Sequence, residues 1–300
     1  MRILVTGANG LVGSRLTALL DARGHLVTAV GRGPRRTATG REYRAIDLGD
    51  EESLEAAVRA ARPEVIINAG SMTDVDGCEA EARQAFRVNG IAPGILALAA
   101  TDLGAHLVHV STDYVFDGMA GPYSEDAVPN PRGVYALTKH VGEQAVRALS
   151  LSWAIARTAV VYGWPPAARA NFGSWLLSAL RTGEQVRLFE DQFVSPSLAD
   201  NVAEQLAELA ERRLAGVWNV AGAEVVNRVQ FGRAVCAEFG ISADGIVPSR
   251  LAEAKLKSPR PARSGLRTDK ATAHLAARPL GLAASLARFH RDVEAERART

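Results

Sequence analysis

Three hundred residues with 47% apolar content suffice for one large domain or two smaller ones around a sizeable core, so neither disulfides nor metals are needed to hold the chain folded. Basic side chains exceed acidic ones by only 35 to 33, a net charge of +2 that argues against a nucleic-acid or membrane-surface partner and for a small-molecule one. The two cysteines, Cys78 and Cys236, stand far apart with no second ligand at metal-site spacing, which excludes a disulfide framework and a zinc site and fits a reducing cytoplasm.

The opening run, Met1 to Val5, reads as part of a strand rather than a signal peptide, and no later run is long enough for a transmembrane helix. Ile3 to Thr6 is a strand, Gly7 to Gly13 a glycine-rich turn, and Leu11 to Arg23 a helix closed by Gly24. His25 to Val30 and the short Tyr43 to Ile46 are strands, followed by a helix from Glu51 to Ala61 stopped by Pro63. A buried strand from Glu64 to Asn68, a helical stretch from Glu79 to Leu103 containing Pro93, and a strand from His106 to Ser111 complete the cycle. Such alternation predicts an α/β fold with a Rossmann-type, doubly wound parallel sheet, in which ligands bind at the carboxyl ends of the strands.

A polar stretch from Asp113 to Val134 leads into a helix from Tyr135 to about Leu149 and a strand from Trp153 to Arg157. Pro165-Pro166, the segment Asp191 to Ser197 and the Pro/Arg-rich stretch Ser258 to Ser264 then break the alternation. We therefore expect a cofactor domain over residues 1–158, with a returning segment 196–221 whose strand is Gly216 to Val220. A smaller, irregular α/β lobe for the substrate would comprise 159–195 and 222–300. The arginine-rich tail, His290 to Thr300, reads as a solvated helix end.

The glycines of Gly7-Ala8-Asn9-Gly10-Leu11-Val12-Gly13 follow a strand and open a helix, where backbone N–H groups and the positive helix end can face a pyrophosphate. NAD-preferring versions of this turn carry an acidic residue after the second strand; here that strand ends on Val30-Gly31-Arg32, with Arg35 and Arg36 nearby. Guanidinium groups suit a 2′-phosphate, so NADP(H) is the expected cofactor; a solvated basic loop is the bland alternative. Asp47 is placed to accept from the adenine amino group.

Tyr135 and Lys139 lie four apart on one helix and share a face. A free tyrosine is too weak an acid for efficient proton transfer at neutrality, and a neighbouring ammonium favours the phenolate. Tyr135 is thus the expected general acid of a carbonyl reduction, and Lys139 also a ligand of the nicotinamide ribose. At the end of the preceding strand, Thr112 is the hydroxyl expected to hold the substrate carbonyl, with Ser111 the alternative.

These motifs resemble the extended short-chain dehydrogenase/reductases, and within them the dTDP-4-dehydrorhamnose reductase family. The resemblance is carried by the cradle, Asn68-Ala69-Gly70, Asp74 to Glu79, Val88-Asn89, Ser111 to Gly118, Gly121-Pro122-Tyr123, and Val134 to Lys139 with Gly142-Glu143. Asn171-Phe172, Asp191-Gln192, Ser195-Pro196, Arg260-Pro261 and Ser264-Gly265-Leu266 extend it over most of the chain. It implies NADPH-dependent reduction of the C4 ketone of a nucleotide-linked 6-deoxy sugar. Asn89 would then assist a proton relay, and Leu48, Ala69, Gly70, Ser71 and Ser111 would join the cofactor contacts. Asn171, Phe172, Gln192 and Arg260 would face the nucleotide sugar. The resemblance also admits a homodimer and magnesium, with no ligands that can be placed.

One departure concerns the sugar. Family members commonly have tryptophan where this chain has Val160, in Arg157-Thr158-Ala159-Val160-Val161-Tyr162, and Trp164 is the candidate replacement. A different ketosugar or small carbonyl substrate therefore stays open. So does a non-catalytic role like that of the methionine adenosyltransferase regulatory subunit, which shares the fold and motifs. His106 and His109, three apart on a strand, are expected on opposite faces rather than as metal ligands, and Trp153, Trp175 and Trp218 as packing residues.

Overall fold

The structure, a computed structural model, describes residues 1–36, 42–164 and 170–298. Pro165-Pro166 and the last two residues of the arginine-rich tail lie outside the described residues.

Among the described residues the central sheet has seven strands, all parallel. In chain order they are β1 (Arg2–Thr6), β2 (Leu26–Gly31), β3 (Glu42–Ala45), β4 (Val65–Asn68), β5 (His106–Thr112), β6 (Trp153–Thr158) and the strand Gly216–Asn219. Their spatial order is β3-β2-β1-β4-β5-β6 with Gly216–Asn219 outermost, so the sheet reverses direction of travel between β1 and β4. Ile3, Leu4 and Val5, and likewise Val65, Ile66 and Ile67, are almost wholly buried because helices cover both faces. Leu16 and Leu20 of the Leu11–Ala22 helix pack one face together with Val202 and Leu206 of the Ala199–Glu211 helix. The other face is covered by Leu54 and Val58, Leu96 and Ala100, and Val146, from the helices Glu51–Ala61, Ala92–Leu103 and Val134–Leu149.

The expected helix from Glu79 to Leu103 is instead a series of pieces. Val75–Ala80 ends at Glu81, Ala82–Ala85 follows, and a π-helical turn over Phe86–Ile91 joins it to Ala92–Leu103. Pro93 enters the last of these in its first turn, where a missing N–H costs nothing. Asn89 lies inside the π-turn, a distortion often found at functional sites.

Beyond β6 the smaller α/β lobe, with only two-stranded sheets among the described residues, builds a second core. Leu176, Leu177 and Leu180 from the helix Phe172–Arg181 meet Phe231 and Val235 from Arg228–Phe239, and Phe289 and Val293 from Leu282–Arg297. Tyr162 is fully buried among them, edge-on to Phe231 and Phe289, with its hydroxyl on Ser285 at 2.8 Å. The parallel pair Val186–Phe189 and Ile246–Ser249 flanks this core. The terminal helix is thus anchored through Phe289 and Val293, and only its outer face is solvated. Trp218 is buried against the first core, whereas Trp175 is exposed.

Candidate active site

The glycine cradle lies where the sheet reverses. A Cβ at Gly7, whose φ is +69°, would stand 2.6 Å from the carbonyl oxygen of Ala69 and equally close to Gly70; one at Gly13 would stand 2.1 Å from the Gly7 oxygen. Only glycine lets the turns after β1 and β4 touch here. Gly10, the N-cap of the Leu11–Ala22 helix, carries no capping side chain, so the N–H groups around Leu11 and Val12 face outward at the positive end of the helix. Beneath the cradle, Thr6 donates to Asn68 at 2.6 Å and accepts from the Gly70 amide at 3.2 Å, which fixes Ala69, Gly70 and Ser71 against it. A narrow, side-chain-free turn beside free amides fits a dinucleotide pyrophosphate.

Asn9 does more than occupy the cradle. Its amide donates to Arg32 O (3.1 Å), Pro34 O (3.0 Å) and the Tyr43 hydroxyl (2.8 Å), and its oxygen accepts from Arg36 N (3.0 Å). Tyr43 in turn donates to the Gly31 and Gly33 carbonyls. The arginine loop is therefore a built structure with Arg32, Arg35 and Arg36 exposed on it, and Tyr43 is a component that sequence reading did not single out. Asp47 accepts from Gly49 N at 2.8 Å beside the buried Leu48.

Tyr135 and Lys139 stand on the inner face of the Val134–Leu149 helix, which runs along β5. The Thr112 hydroxyl is set against the Tyr135 phenol, while Ser111 neighbours the Glu143 carboxylate two turns further along. Thr112 donates to the buried Asp113 at 3.1 Å, and Asp113 accepts from Ser264 at 2.6 Å. Burial pushes Asp113 up to about 6 in spite of those hydroxyls. Lys139 donates to the Val110 carbonyl at 2.7 Å, and burial lowers it to about 8, opposed by Glu143.

Burial raises Tyr135 above the ordinary tyrosine range, and the Thr112 hydroxyl offsets this only in part. In the polypeptide alone desolvation of the phenol outweighs the Thr112 hydroxyl, and the Lys139 ammonium is turned to the Val110 carbonyl. Asn89 is committed elsewhere: it accepts from Met72 N (2.8 Å) and donates to Met72 O (3.0 Å) and Thr138 (3.3 Å).

Tyr114 packs edge-on to Tyr135, with ring centroids 5.6 Å apart, and opens into a cleft of about 170 Å³. Its walls include Phe172, Phe189, Gln192, Arg228, Leu256 and Arg260. Arg228 lies over the Phe172 ring at 4.5 Å and donates from Nε to Gln192 Oε1 at 2.9 Å; no carboxylate is paired with it among the described residues. Arg260 is held by Asp76 Oδ1 at 3.0 Å.

Phe172, Gln192 and Arg260 thus meet at the cleft, whereas Asn171 is spent as the N-cap of Phe172–Arg181, bonded to Ser174 and Gly163. Val160, with φ +38°, accepts from Ser197 N and does not line the cleft; Trp164 packs against the second core. The aromatic wall is supplied by Tyr114, Phe172 and Phe189. Tyr114 and Arg228 escaped sequence reading because each gains its meaning from distant segments; the tyrosine immediately after Thr112-Asp113 was the available signal.

His106 and His109 are buried and bonded to Ser152 and Asn68 respectively. Burial lowers both, so they remain neutral. No cluster of three metal-ligating side chains occurs among the described residues.

A doubly wound parallel sheet, a glycine cradle at its reversal point and a Tyr135–Lys139 helix beside Thr112 define a short-chain dehydrogenase/reductase of the Rossmann type. A family model described as the RmlD substrate binding domain matches residues 1–294, and the chain belongs to that family. It is 36% identical over 269 residues to a probable low-salt glycan biosynthesis reductase of Haloferax volcanii, covering 89% of each chain. To a dTDP-4-dehydrorhamnose reductase of Mycobacterium tuberculosis it is 35% identical over 275 residues, 88% of this chain and 84% of the relative. The solved dTDP-4-dehydrorhamnose reductase of Bacillus anthracis, in complex with NADP, superposes with a TM-score of 0.86 at 24% identity, covering 97% and 98% of the two chains.

Proposed function

We propose that this protein is an NADPH-dependent reductase of a nucleotide-linked 4-keto-6-deoxy sugar, with dTDP-4-dehydrorhamnose, reduced to dTDP-L-rhamnose, as its leading substrate. The observation that carries the proposal is the placement of Tyr135 and Thr112 beside a cleft furnished with Arg228, Arg260 and an aromatic wall. Guanidinium groups suit a diphosphate, and aromatic faces suit a base or sugar ring. The names of the curated relatives support a sugar-nucleotide reductase. The exposed arginine loop and the NADP complex of the B. anthracis protein support the cofactor.

NADPH, when bound in the cradle with Tyr135 and Lys139 at its reactive end, supplies the hydride. Thr112, once its hydroxyl turns from Asp113, fixes the ketone oxygen, and the Tyr135 hydroxyl gives that oxygen its proton. The resulting phenolate needs a positive neighbour, a role open to Lys139 once its ammonium swings from the Val110 carbonyl. Residues 1–158 with 196–221 would form the cofactor domain and the remaining segments the substrate lobe. Free, buried Cys78 and Cys236 suit a reducing cytoplasm, and no helix among the described residues is long and apolar enough to cross a membrane.

The test is NADPH oxidation with dTDP-4-dehydrorhamnose and a panel of other ketosugars. Tyr135→Phe should lower kcat by about 10²-fold or more; an unchanged rate would remove the assigned acid. Faster turnover of another ketosugar would transfer the specificity, a result to which the absence of a tryptophan from the cleft lining gives weight. No turnover with any ketosugar, together with co-purification of a synthetase, would favour the regulatory-subunit alternative.

A further inference from the structure

The helix that carries Tyr135 and Lys139 begins at Gly133, which has no side chain to cap it. Its first amide is satisfied from elsewhere in the fold: Val134 N donates to Glu79 Oε1 at 2.8 Å. The same carboxylate oxygen accepts from the Ser258 hydroxyl at 2.7 Å. One turn back on the Val75–Ala80 helix, Asp76 Oδ1 accepts from Ser258 N at 3.1 Å and from Arg260 Nη1 at 3.0 Å. Three segments therefore converge on Gly133, where a Cβ would lie 2.4 Å from Ser258 Oγ and 2.7 Å from Glu79 Oε1. Gly133 has φ +85°, a second reason for glycine at this point.

We propose that Glu79 is a positioning residue: it holds the start of the catalytic helix to the Ser258–Arg260 segment of the substrate cleft, so that occupation of the cleft at Arg260 fixes the Tyr135 phenol. The inference rests on the assignment of Tyr135 and Arg260 above. A carboxylate at a helix N-terminus satisfies an otherwise orphaned donor and favours the helix dipole. Because Glu79 Oε1 also binds Ser258, a movement of the Arg260 segment is transmitted to Val134, the residue before the tyrosine. Glu79 touches none of the reacting atoms and acts only through the helix.

Two measurements separate this coupling from a merely structural cap. Amide hydrogen exchange over residues 133–139 of the full chain, with and without dTDP as the probe, reads the coupling without turnover. Steady-state kinetics with NADPH and the ketosugar reads its consequence. Wild type should show slower exchange in 133–139 when dTDP is added. Glu79→Ala should lose that response and lower kcat by about tenfold, with NADPH affinity unchanged. Glu79→Gln, which keeps an acceptor oxygen, should restore most of both.

Ser258→Ala keeps the cap but cuts the link through Glu79 Oε1, while Asp76 stays bonded to Ser258 N and Arg260 Nη1. It should abolish the dTDP response while leaving 133–139 as protected as in the free wild type, and it tests the proposal should Glu79→Ala fail to fold. A dTDP response that survives in Ser258→Ala, or kcat within about twofold of wild type in Glu79→Ala, overturns the coupling. If wild type binds dTDP and shows the response but reduces no ketosugar, the functional reading fails and the latch stands.

Discussion

Burial acts on the charge that Tyr135 needs. Lys139 lies wholly inside the protein and is lowered to about 8, with Glu143 two turns from Tyr135 opposing the shift. A base lowered in this way keeps its ammonium below about 8 and loses it as the pH rises through that value. The ammonium is what favours the phenolate left after proton transfer, so kcat/KM, which reports the free enzyme, should fall on the alkaline side with a limb near 8. A pH–rate profile for ketosugar reduction checks this, and a profile flat through that region would place the stabilising charge elsewhere. Tyr135 and Lys139 were legible because a helix brings residues four apart together whatever surrounds it. The direction of the tyrosine's shift was not, because it depends on how deeply Tyr135 is buried and on where the ammonium turns, neither of which the spacing contains.

The Val134–Leu149 helix is tied to β6 by a fully buried ion pair. Arg157 donates to the two carboxylate oxygens of Glu143 at 2.9 and 2.8 Å, and its guanidinium lies 5.1 Å from the centre of the Phe116 ring. Burial alone would raise Glu143; the Arg157 hydrogen bonds and charge outweigh it and hold the carboxyl below its usual range. Arg157→Met leaves that carboxylate buried without its partner and should cost about 3–5 kcal/mol in stability, measured by urea unfolding at neutral pH. The sign with pH follows. A lowered carboxylate contributes stability above its unfolded value and loses it as the pH falls through the folded one, so the deficit should shrink in acid. A loss below about 1 kcal/mol would show that water reaches the pair.

At this scale the strands and most helices of the first half were readable, since Gly24 and Pro63 mark real chain reversals or stops. The π-turn over Phe86–Ile91 was not, because a single wide turn scarcely disturbs a 3.6-residue pattern. The prolines after β6 announce a lobe without the regular alternation, but not its core. Its helices owe their stability to Tyr162, Phe231 and Phe289 packing across long stretches of chain, a contact that no local pattern announces.

The cleft belongs to the molecule as a whole. Tyr114 comes from the turn just after β5, Phe172 and Gln192 from the excursion after β6, Arg228 from the helix beyond Gly216–Asn219, and Arg260 from later still. Burial lowers Arg228, while Tyr114 and Asp113 work against that shift and help keep it charged. A half-buried cation with no carboxylate in ion-pair contact among the described residues is suited to an anionic ligand. Arg228→Ala should therefore raise the KM for the nucleotide ketosugar by about tenfold or more and leave the dissociation constant for NADPH unchanged. Equal losses for both ligands would indicate damage to the fold rather than to the substrate side. Phe172, Gln192 and Arg260 were recoverable one at a time from the family resemblance, but their meeting with Arg228 was not, because it is made by tertiary folding alone.

The strand Gly216–Asn219 returns to the sheet only after the chain has built the first helix of the second lobe, and it pairs with β6 over Ala154 to Arg157. The order of synthesis thus leaves β6 waiting. Until that late strand arrives, Ala154, Ile155 and Ala156, all buried in the finished protein, form the bare edge of an apolar sheet. An open edge of this kind is a template for pairing with other chains. A fragment that stops at Thr158, however complete its cofactor cradle, would carry that edge permanently, and its solubility rather than its fold would decide whether it could be studied.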